Sequence, residues 1–136
     1  MELGLGSFEA YHRYLDEHPG ELEVLDGLYR VTISRFRRDR SLWLTLTRDV
    51  LPALAEDARA AGRPLAAWSA GCASGEEPYT LALAWRHELA RRFPDVELDL
   101  LATDADAHML ERARRAVYPE GCLRELPEAS KTVASK

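Results

Sequence analysis

The chain has 136 residues, of which 46% are hydrophobic and 30% charged, a composition typical of a globular domain with a single core. Its net charge of −5 gives no general attraction to nucleic acid or an anionic membrane, and no apolar run approaches the roughly 20 residues of a membrane span. The first residues lack the basic start and apolar stretch of a signal peptide. Cys72 and Cys122 have no metal-ligand spacing, so we expect free thiols, no metal site and a cytoplasmic protein.

Two short helices are predicted at the start of the chain. Ser7 is a suitable N-cap for the first helix, which should stop at Pro19-Gly20. The second helix is predicted from about Glu21 to Tyr29, with its leucines on one face. The segment RVTISRFRRDR follows, with β-branched residues first and arginines after them.

A third helix is predicted to open at Ser41. Pro52 lies inside its apolar pattern and should kink or divide it, because proline has no N–H to continue the helical hydrogen bonds. Gly62 is expected to end this helix.

The next four elements alternate between strand and helix. Leu65–Trp68 and Val96–Ala102 are predicted strands, a helix begins near Gly75 between them, and Ala105–Ala116 forms another helix. Strands joined by a helix in this way should be parallel. The fold class is therefore α/β, a βαβα unit preceded by a small helical segment.

An apolar stripe runs along the helix between the two strands. Leu81, Trp85, Leu89 and Phe93 recur at a spacing of four, which predicts a face packed against the sheet. Trp85 and Trp43 are therefore expected in the core, and the four histidines on the surface.

The turn after the first strand is the candidate binding site. Six of the seven residues from Ser69 to Gly75 have side chains no larger than a hydroxymethyl group, and the other is Cys72. Ligands of βαβ units bind outside the carboxyl end of the first strand. Asp104 ends the second strand, where a carboxylate can accept both hydroxyls of a ribose. The pattern favours a nucleoside-bearing cofactor, and the alternative is a tight turn that binds nothing.

The charges beside this turn restrict the ligand. The chain contains neither GxGxxG nor GxxxxGK[ST], which argues against a nicotinamide-dependent oxidoreductase and excludes a phosphate-binding loop. Glu76 and Glu77 would repel a phosphate from the helix start and attract a cation. S-adenosylmethionine fits these conditions, because it has a ribose, a sulfonium and an amino group but no phosphate.

WSAGCASGEEPYTLAL closely resembles the cofactor motif of the CheR-type methyltransferases, which esterify glutamates of chemotaxis receptors with S-adenosylmethionine. VTISRFRRD, LLATDAD and YPEGCLRELP are similar to other stretches of that family, in the same order. The resemblance covers roughly residues 8–127. It implies a partial Rossmann-like methyltransferase fold and a methyl acceptor in a chemoreceptor tail or another signalling protein.

The resemblance also implies the residues of the site. The family's cofactor contacts fall on Thr32, Ser34, Arg38, Ala70, Gly71, Glu77 and Asp104, and Thr32 replaces an asparagine common in the family. Arg38 is the expected catalytic residue: its forked cation suits a carboxylate of the cofactor or the substrate, and it cannot be a general base. Arg35, Arg37 and Arg40 are expected on the solvated surface.

Compared with the family, the chain is predicted to be truncated. We expect a helical segment and linker over 1–40, the first half of the methyltransferase domain over 41–128 and a frayed tail over 129–136. Two parallel strands leave exposed edges that invite self-association. The alternative to an enzyme is a non-catalytic module that binds cofactor or protein partners.

Overall fold

The computed structural model describes residues 3–29 and 35–126. The chain divides into two compact units, residues 1–33 and 34–136. The domain boundaries expected at residues 40 and 128 stay predictions, and the tail expected to fray, residues 129–136, lies outside the described residues. In the two described ranges, no helix is long and apolar enough to cross a membrane.

The first unit contains α1 (Phe8–Glu17) and α2 (Glu21–Tyr29), both where the sequence predicts them. Ser7 has an extended backbone and its side chain accepts a hydrogen bond from the Ala10 N–H at 3.2 Å, which is the predicted N-cap. The Tyr11 hydroxyl donates to Glu21 Oε1 at 3.2 Å and thereby ties α1 to the start of α2.

The second unit opens with a helix in three sections: α3 (Arg40–Thr45), a π-turn over Leu46–Val50, and α4 (Leu51–Ala60). The predicted start at Ser41 is wrong by one residue, because Asp39 is the N-cap, without a side-chain bond to the helix. Pro52 follows the π-turn by two residues, and the backbone stays right-handed helical at Val50 and Leu51, so the predicted division is limited to this widened turn and the helix continues past the proline. Gly62 follows the end of α4 with a left-handed φ of 59°.

The sheet has two parallel strands, β1 (Leu65–Ala70) and β2 (Leu98–Thr103), in register from Leu65 opposite Leu98 to Ala70 opposite Thr103. Between them run α5 (Glu76–Ala84) and a π-turn over Trp85–Leu89. After β2 comes α6 (Ala107–Arg115), capped by the Asp106 carboxylate. The predicted βαβα order is confirmed. The second strand begins two residues later than predicted, since Val96 packs in the core instead of pairing with β1.

The main core lies between one face of the sheet and the helices α4 and α5. Its buried members come from α4, from β1, from the π-turn after α5 and from the loop before β2: Leu51, Ala55, Ala58, Leu65, Trp85, Leu89, Phe93 and Val96. Leu81 of α5 packs against them. Trp43 is also buried, so both tryptophans expected in the core are there. A second cluster joins Phe36 to Leu123 and Leu126, with Tyr118 packed against it.

The other face of the sheet carries exposed apolar side chains. Trp68 and Leu101 are opposite each other in the register, and they are 68% and 58% exposed. The Trp68 indole N–H donates to Thr103 Oγ1 at 2.9 Å, so the ring lies across β2. In the described part of the chain, each strand pairs only with the other, which leaves both edges of this sheet open.

Candidate functional site

The site is built at the carboxyl ends of β1 and β2. The turn from Gly71 to Gly75 leaves β1 and is bonded directly to β2, because the N–H groups of Gly71 and Cys72 both donate to the Thr103 carbonyl, at 2.8 and 2.9 Å. This shared acceptor holds the turn against the residue that follows Thr103. That residue is Asp104, the predicted ribose ligand.

The Asp104 carboxylate is fixed by two backbone amides. Oδ2 accepts from the Ala73 N–H at 2.7 Å, and Oδ1 accepts from the Asp106 N–H at 2.8 Å. The side chain is only half-buried. Since an ionised carboxylate offers about four acceptor positions, Asp104 has capacity left for the two hydroxyls of a ribose.

The two glycines of the turn have different surroundings. Both have left-handed backbones, with φ of 74° at Gly71 and 95° at Gly75. A Cβ on Gly71 would meet no heavy atom within 4 Å, whereas a Cβ on Gly75 would lie 2.9 Å from both Ala113 Cβ and the Tyr118 hydroxyl. The space at Gly71 is therefore open to an approaching ligand. At Gly75 the space is needed by the packing of the chain itself.

The two adjacent glutamates at the start of α5 have different environments. Glu76 is only 4% exposed, and the Ser74 hydroxyl contacts both of its carboxylate oxygens, at 3.0 and 2.9 Å. Glu77 is exposed, and its Oε1 accepts from the Ser69 hydroxyl at 2.7 Å. The sequence treats the two carboxylates alike, but only Glu77 is accessible to a ligand, since Glu76 is buried against Ser74.

Cys72 and Tyr118 lie close to these carboxylates. Burial, reinforced by the charge of Asp104, raises the pKa of the Cys72 thiol, which therefore stays protonated at neutral pH. Burial and the charge of Glu76 also raise the pKa of Tyr118. The Tyr118 hydroxyl donates to the Ser74 carbonyl at 2.6 Å, so this neutral side chain fastens the turn. Both cysteines are free thiols, as expected.

The arginine segment before α3 differs from the prediction at Arg37. Its guanidinium pairs with Glu88, and its side chain is only 18% exposed, so it is not the solvated surface residue expected from the sequence. Arg38, the predicted catalytic residue, is exposed, as are Arg35 and Arg40. The four histidines are exposed as well. Over residues 3–29 and 35–126, no group of three potential ligands could hold a metal ion.

Four of the predicted cofactor contacts lie around one crevice, the open space beside the Gly71–Gly75 turn at the carboxyl ends of β1 and β2: Ala70, Gly71, Glu77 and Asp104. Thr32 and Ser34 lie outside the described residues. The sequence interpretation missed Ser69, which orients Glu77, and the Ala73 amide, which orients Asp104. Ser69 could have been found from the alternation of β1, because it shares the buried face with Leu65 and a hydroxyl there needs a partner.

A comparison with protein families shows which family the chain belongs to. Residues 32–133 match the family described as CheR methyltransferase, SAM binding domain. The chain belongs to this family. The family description names the cofactor, S-adenosylmethionine, that the resemblance implies.

The chain is also similar to curated proteins named for chemotaxis. It is 34% identical over 128 residues to the chemotaxis protein methyltransferase of Listeria monocytogenes, covering 94% of this chain and 46% of the relative. It is 35% identical to chemotaxis protein methyltransferase 2 of Pseudomonas aeruginosa, covering 92% and 42%. An uncharacterized 104.1 kDa protein of Rhodobacter capsulatus is 33% identical over 120 residues, which are 87% of this chain and 12% of the relative. The chain thus spans less than half the length of these relatives.

The residues of the crevice fit the family's cofactor. The space at Gly71 is open to a ligand against the backbone, the anchored Asp104 carboxylate has acceptor positions left that suit ribose hydroxyls, and the exposed Glu77 carboxylate suits a cationic group. The buried carboxylate of Glu76 disfavours a phosphate at the same helix start.

Proposed function

We propose that this chain is the cofactor-binding half of an S-adenosylmethionine-dependent protein-glutamate O-methyltransferase of the CheR type. The supporting observation is the Asp104 carboxylate, held by two backbone amides beside the open turn at Gly71. A turn that served only to connect β1 to α5 would not need an anchored, half-exposed acid at the end of the neighbouring strand.

Each proposed contact follows from the chemistry of one part of the cofactor. Asp104 accepts the ribose hydroxyls, and Glu77 attracts the positively charged methionine portion. Ala70 and Gly71 allow the backbone of the turn to approach the ligand closely. Arg38 binds a carboxylate through its forked guanidinium. Thr32 and Ser34 are proposed as further polar contacts, from the resemblance alone.

The bound cofactor would supply a methyl group activated by its sulfonium. The acceptor is a glutamate, whose carboxylate is ionised at neutral pH and is itself the nucleophile, so the chain need not provide a general base. The part of Arg38 is to orient a carboxylate, and the site as a whole acts by placing the reacting groups in line and excluding water.

We further propose that the methyl acceptor is the cytoplasmic tail of a chemoreceptor or another signalling protein. The support is the name of the relatives in Listeria monocytogenes and Pseudomonas aeruginosa, chemotaxis protein methyltransferase. Such an acceptor places the protein in the cytoplasm.

A second candidate is a non-catalytic module that binds cofactor or protein partners. The exposed face with Trp68 and Leu101 and the open edges of β1 and β2 favour it, because parallel sheets are normally covered on both faces. These surfaces also support the proposal that the chain self-associates through its sheet.

Calorimetric titration with S-adenosylhomocysteine tests the cofactor site. We expect weak binding by the parent chain, and a further loss of about 1–3 kcal/mol in Asp104→Asn, because the amide would turn an N–H₂ donor toward the ribose or toward one of the two anchoring N–H groups. Asp99→Asn is the matched control, since Asp99 is an exposed residue of β2, the strand that Asp104 follows. Equal affinity in Asp104→Asn contradicts the assignment of Asp104, and no binding by the parent contradicts the cofactor site.

A further inference from the structure

We propose that Thr80 and Glu88 are positioning residues that hold the arginine turn, Phe36–Asp39, on α5 and so fix Arg38 relative to Glu77. The inference rests on the proposed function of the crevice and gives a role to two residues that had none in the sequence interpretation, although Thr80 lies within the quoted motif. It is carried by the contacts of Arg37, the residue directly before Arg38.

Thr80 links the backbone of the arginine turn to the first turn of α5. The Arg37 N–H donates to Thr80 Oγ1 at 3.2 Å, and the Thr80 hydroxyl donates in turn to the Glu76 carbonyl at 2.6 Å. Thr80 is only 1% exposed, so water cannot easily replace either bond. The residue after Glu76 is Glu77, which means that this relay ends beside the crevice.

Glu88 holds the side chain of the same arginine. Its carboxylate pairs with the Arg37 guanidinium, and it lies in the π-turn about two helical turns beyond Thr80 on the same helix. The pair is partly shielded, with exposed fractions of 18% for Arg37 and 39% for Glu88. Thr80 and Glu88 therefore hold Arg37 at two points, the backbone N–H and the guanidinium.

The backbone conformation of Arg37 explains why both contacts are needed. Arg37 has a left-handed φ of 51°, which costs energy in any residue with a Cβ and persists only when the surroundings enforce it. Phe36 is buried as well, and its ring meets Tyr118 edge-on with centroids 4.9 Å apart. With Phe36 and Arg37 both fixed, the backbone that carries Arg38 has little freedom left.

The consequence is that α5 sets the spacing between an exposed cation and an exposed anion. Glu77 is on the helix itself, and Arg38 is attached to the helix through Arg37, Thr80 and Glu88. The amino-acid portion of the proposed cofactor has an ammonium and a carboxylate at a fixed separation. A helix that holds both charged partners would select that separation.

Limited trypsin digestion tests the contacts of Thr80 and Glu88 with Arg37 without any ligand. In Thr80→Val we expect the bonds after Arg37 and Arg38 to be cut about tenfold faster than in the parent, since the amide of Arg37 has lost its acceptor. Thr80→Ser, which keeps the hydroxyl, should be cut at the parental rate. Glu88→Gln, a milder change at a more exposed residue, should give a smaller acceleration at the same bonds. The bonds after Arg114 and Arg115, at the end of α6, are the internal control. Unchanged cleavage in Thr80→Val, or an equal rise at the control bonds, overturns the inference.

A binding cycle tests the link to the cofactor. If Thr80 acts through Arg38, the losses of S-adenosylhomocysteine affinity in Thr80→Val and Arg38→Ala should be non-additive, with the double variant no weaker than Arg38→Ala. Additive losses overturn the inference while leaving the cofactor site intact. If the parent binds nothing, the proposed function fails, and the trypsin experiment still decides whether α5 holds the turn.

Discussion

At the scale of single residues, the turn between β1 and α5 combines ligand access with internal packing. Gly71 and Gly75 are indistinguishable in the sequence, yet a Cβ would enter open space at one and strike Ala113 and Tyr118 at the other. The same separation applies to Glu76 and Glu77, of which one is buried and one exposed. A small or acidic residue in this motif is therefore not by itself evidence of a ligand contact.

The glycine pair gives a matched prediction. Gly71→Ala should cost about 1 kcal/mol of stability for its left-handed backbone, and should abolish S-adenosylhomocysteine binding by blocking the approach to the turn. Gly75→Ala should cost about 2–3 kcal/mol, because contacts of 2.9 Å must also be relieved. Denaturant unfolding and calorimetry on both variants measure the two effects. Parental affinity in Gly71→Ala would show that no ligand lies against Gly71, and equal stabilities of the two variants would contradict the packing at Gly75.

At the scale of elements, the sequence predicts the order of helices and strands because the periodicities are strong. It does not predict the two π-turns, which contact each other. Leu81, Trp85, Leu89 and Phe93 are spaced by four, so an ideal helix of 3.6 residues per turn would rotate them by about 40° at each step. In the π-turn over Trp85–Leu89 the Ala90 N–H bonds to the Trp85 carbonyl, so this turn contains one residue more than an α-helical turn. The extra residue offsets the rotation and keeps Phe93 in the core.

The other π-turn, over Leu46–Val50, lies directly before Pro52 and contacts the first. Proline is visible in the sequence, but the contact between the two π-turns is not. The candidate site has the same limit. The acid at the end of β2 follows from topology, whereas the pairing of Ser69 with Glu77 and of Thr80 with Arg37 depends on side-chain directions that no motif encodes.

Tyr118 connects the loop after α6 to the turn from Gly71 to Gly75, and removal of its hydroxyl tests this connection. Tyr118→Phe should lower the free energy of unfolding by about 1–2 kcal/mol, because the Ser74 carbonyl loses its donor. Tyr79→Phe is the matched control, since its hydroxyl donates at 3.0 Å to Ala113 on α6 and not to the turn. Only Tyr118→Phe should also weaken S-adenosylhomocysteine binding. Equal effects of the two variants on binding would contradict a special role of Tyr118 in the turn.

The raised pKa of Tyr118 adds a pH dependence to this prediction. Below its ordinary pKa of 10.0 the phenol is neutral in both the folded and the unfolded chain, and its contribution to stability is complete. Above that pH the unfolded chain loses the proton first, so the folded state becomes less stable as the pH rises toward the higher folded pKa. Unfolding at about pH 8 and about pH 11 should therefore show a smaller alkaline loss in Tyr118→Phe than in the parent.

At the scale of the whole molecule, the sheet is the least complete feature of the described residues. One face packs on α4 and α5, and the other presents Trp68 and Leu101. We expect concentration-dependent self-association, weakened about tenfold in Trp68→Lys because apolar burial drives it. Leu54→Lys, at an exposed apolar residue of α4, is the control. Sedimentation velocity measures both variants, and a parent that stays monomeric at all concentrations refutes the expectation.

The last prediction concerns activity. The described crevice has one wall, formed by the turn, Glu77 and Asp104, and the chain covers 46% of its Listeria monocytogenes relative. Catalysis needs a closed shell that excludes water and holds the acceptor carboxylate in line with the methyl group. Binding at an open half-site also loses conformational entropy, because groups that a closed pocket already holds in place must be ordered, and this lowers the affinity. We therefore expect no measurable methyl transfer by this chain alone.

The measurement is incorporation of tritiated methyl groups into a chemoreceptor tail, by the chain alone and with a second polypeptide that corresponds to the uncovered part of the relatives. Turnover only with both polypeptides would mean that β1 and β2 can be completed in trans, and Trp68→Lys should then impair it through the exposed face. Turnover by the chain alone would contradict the prediction and point to self-association that rebuilds the missing wall. Absence of turnover in both arrangements, with cofactor binding intact, would favour the non-catalytic module, because a site that binds but cannot be closed has no means of aligning the acceptor.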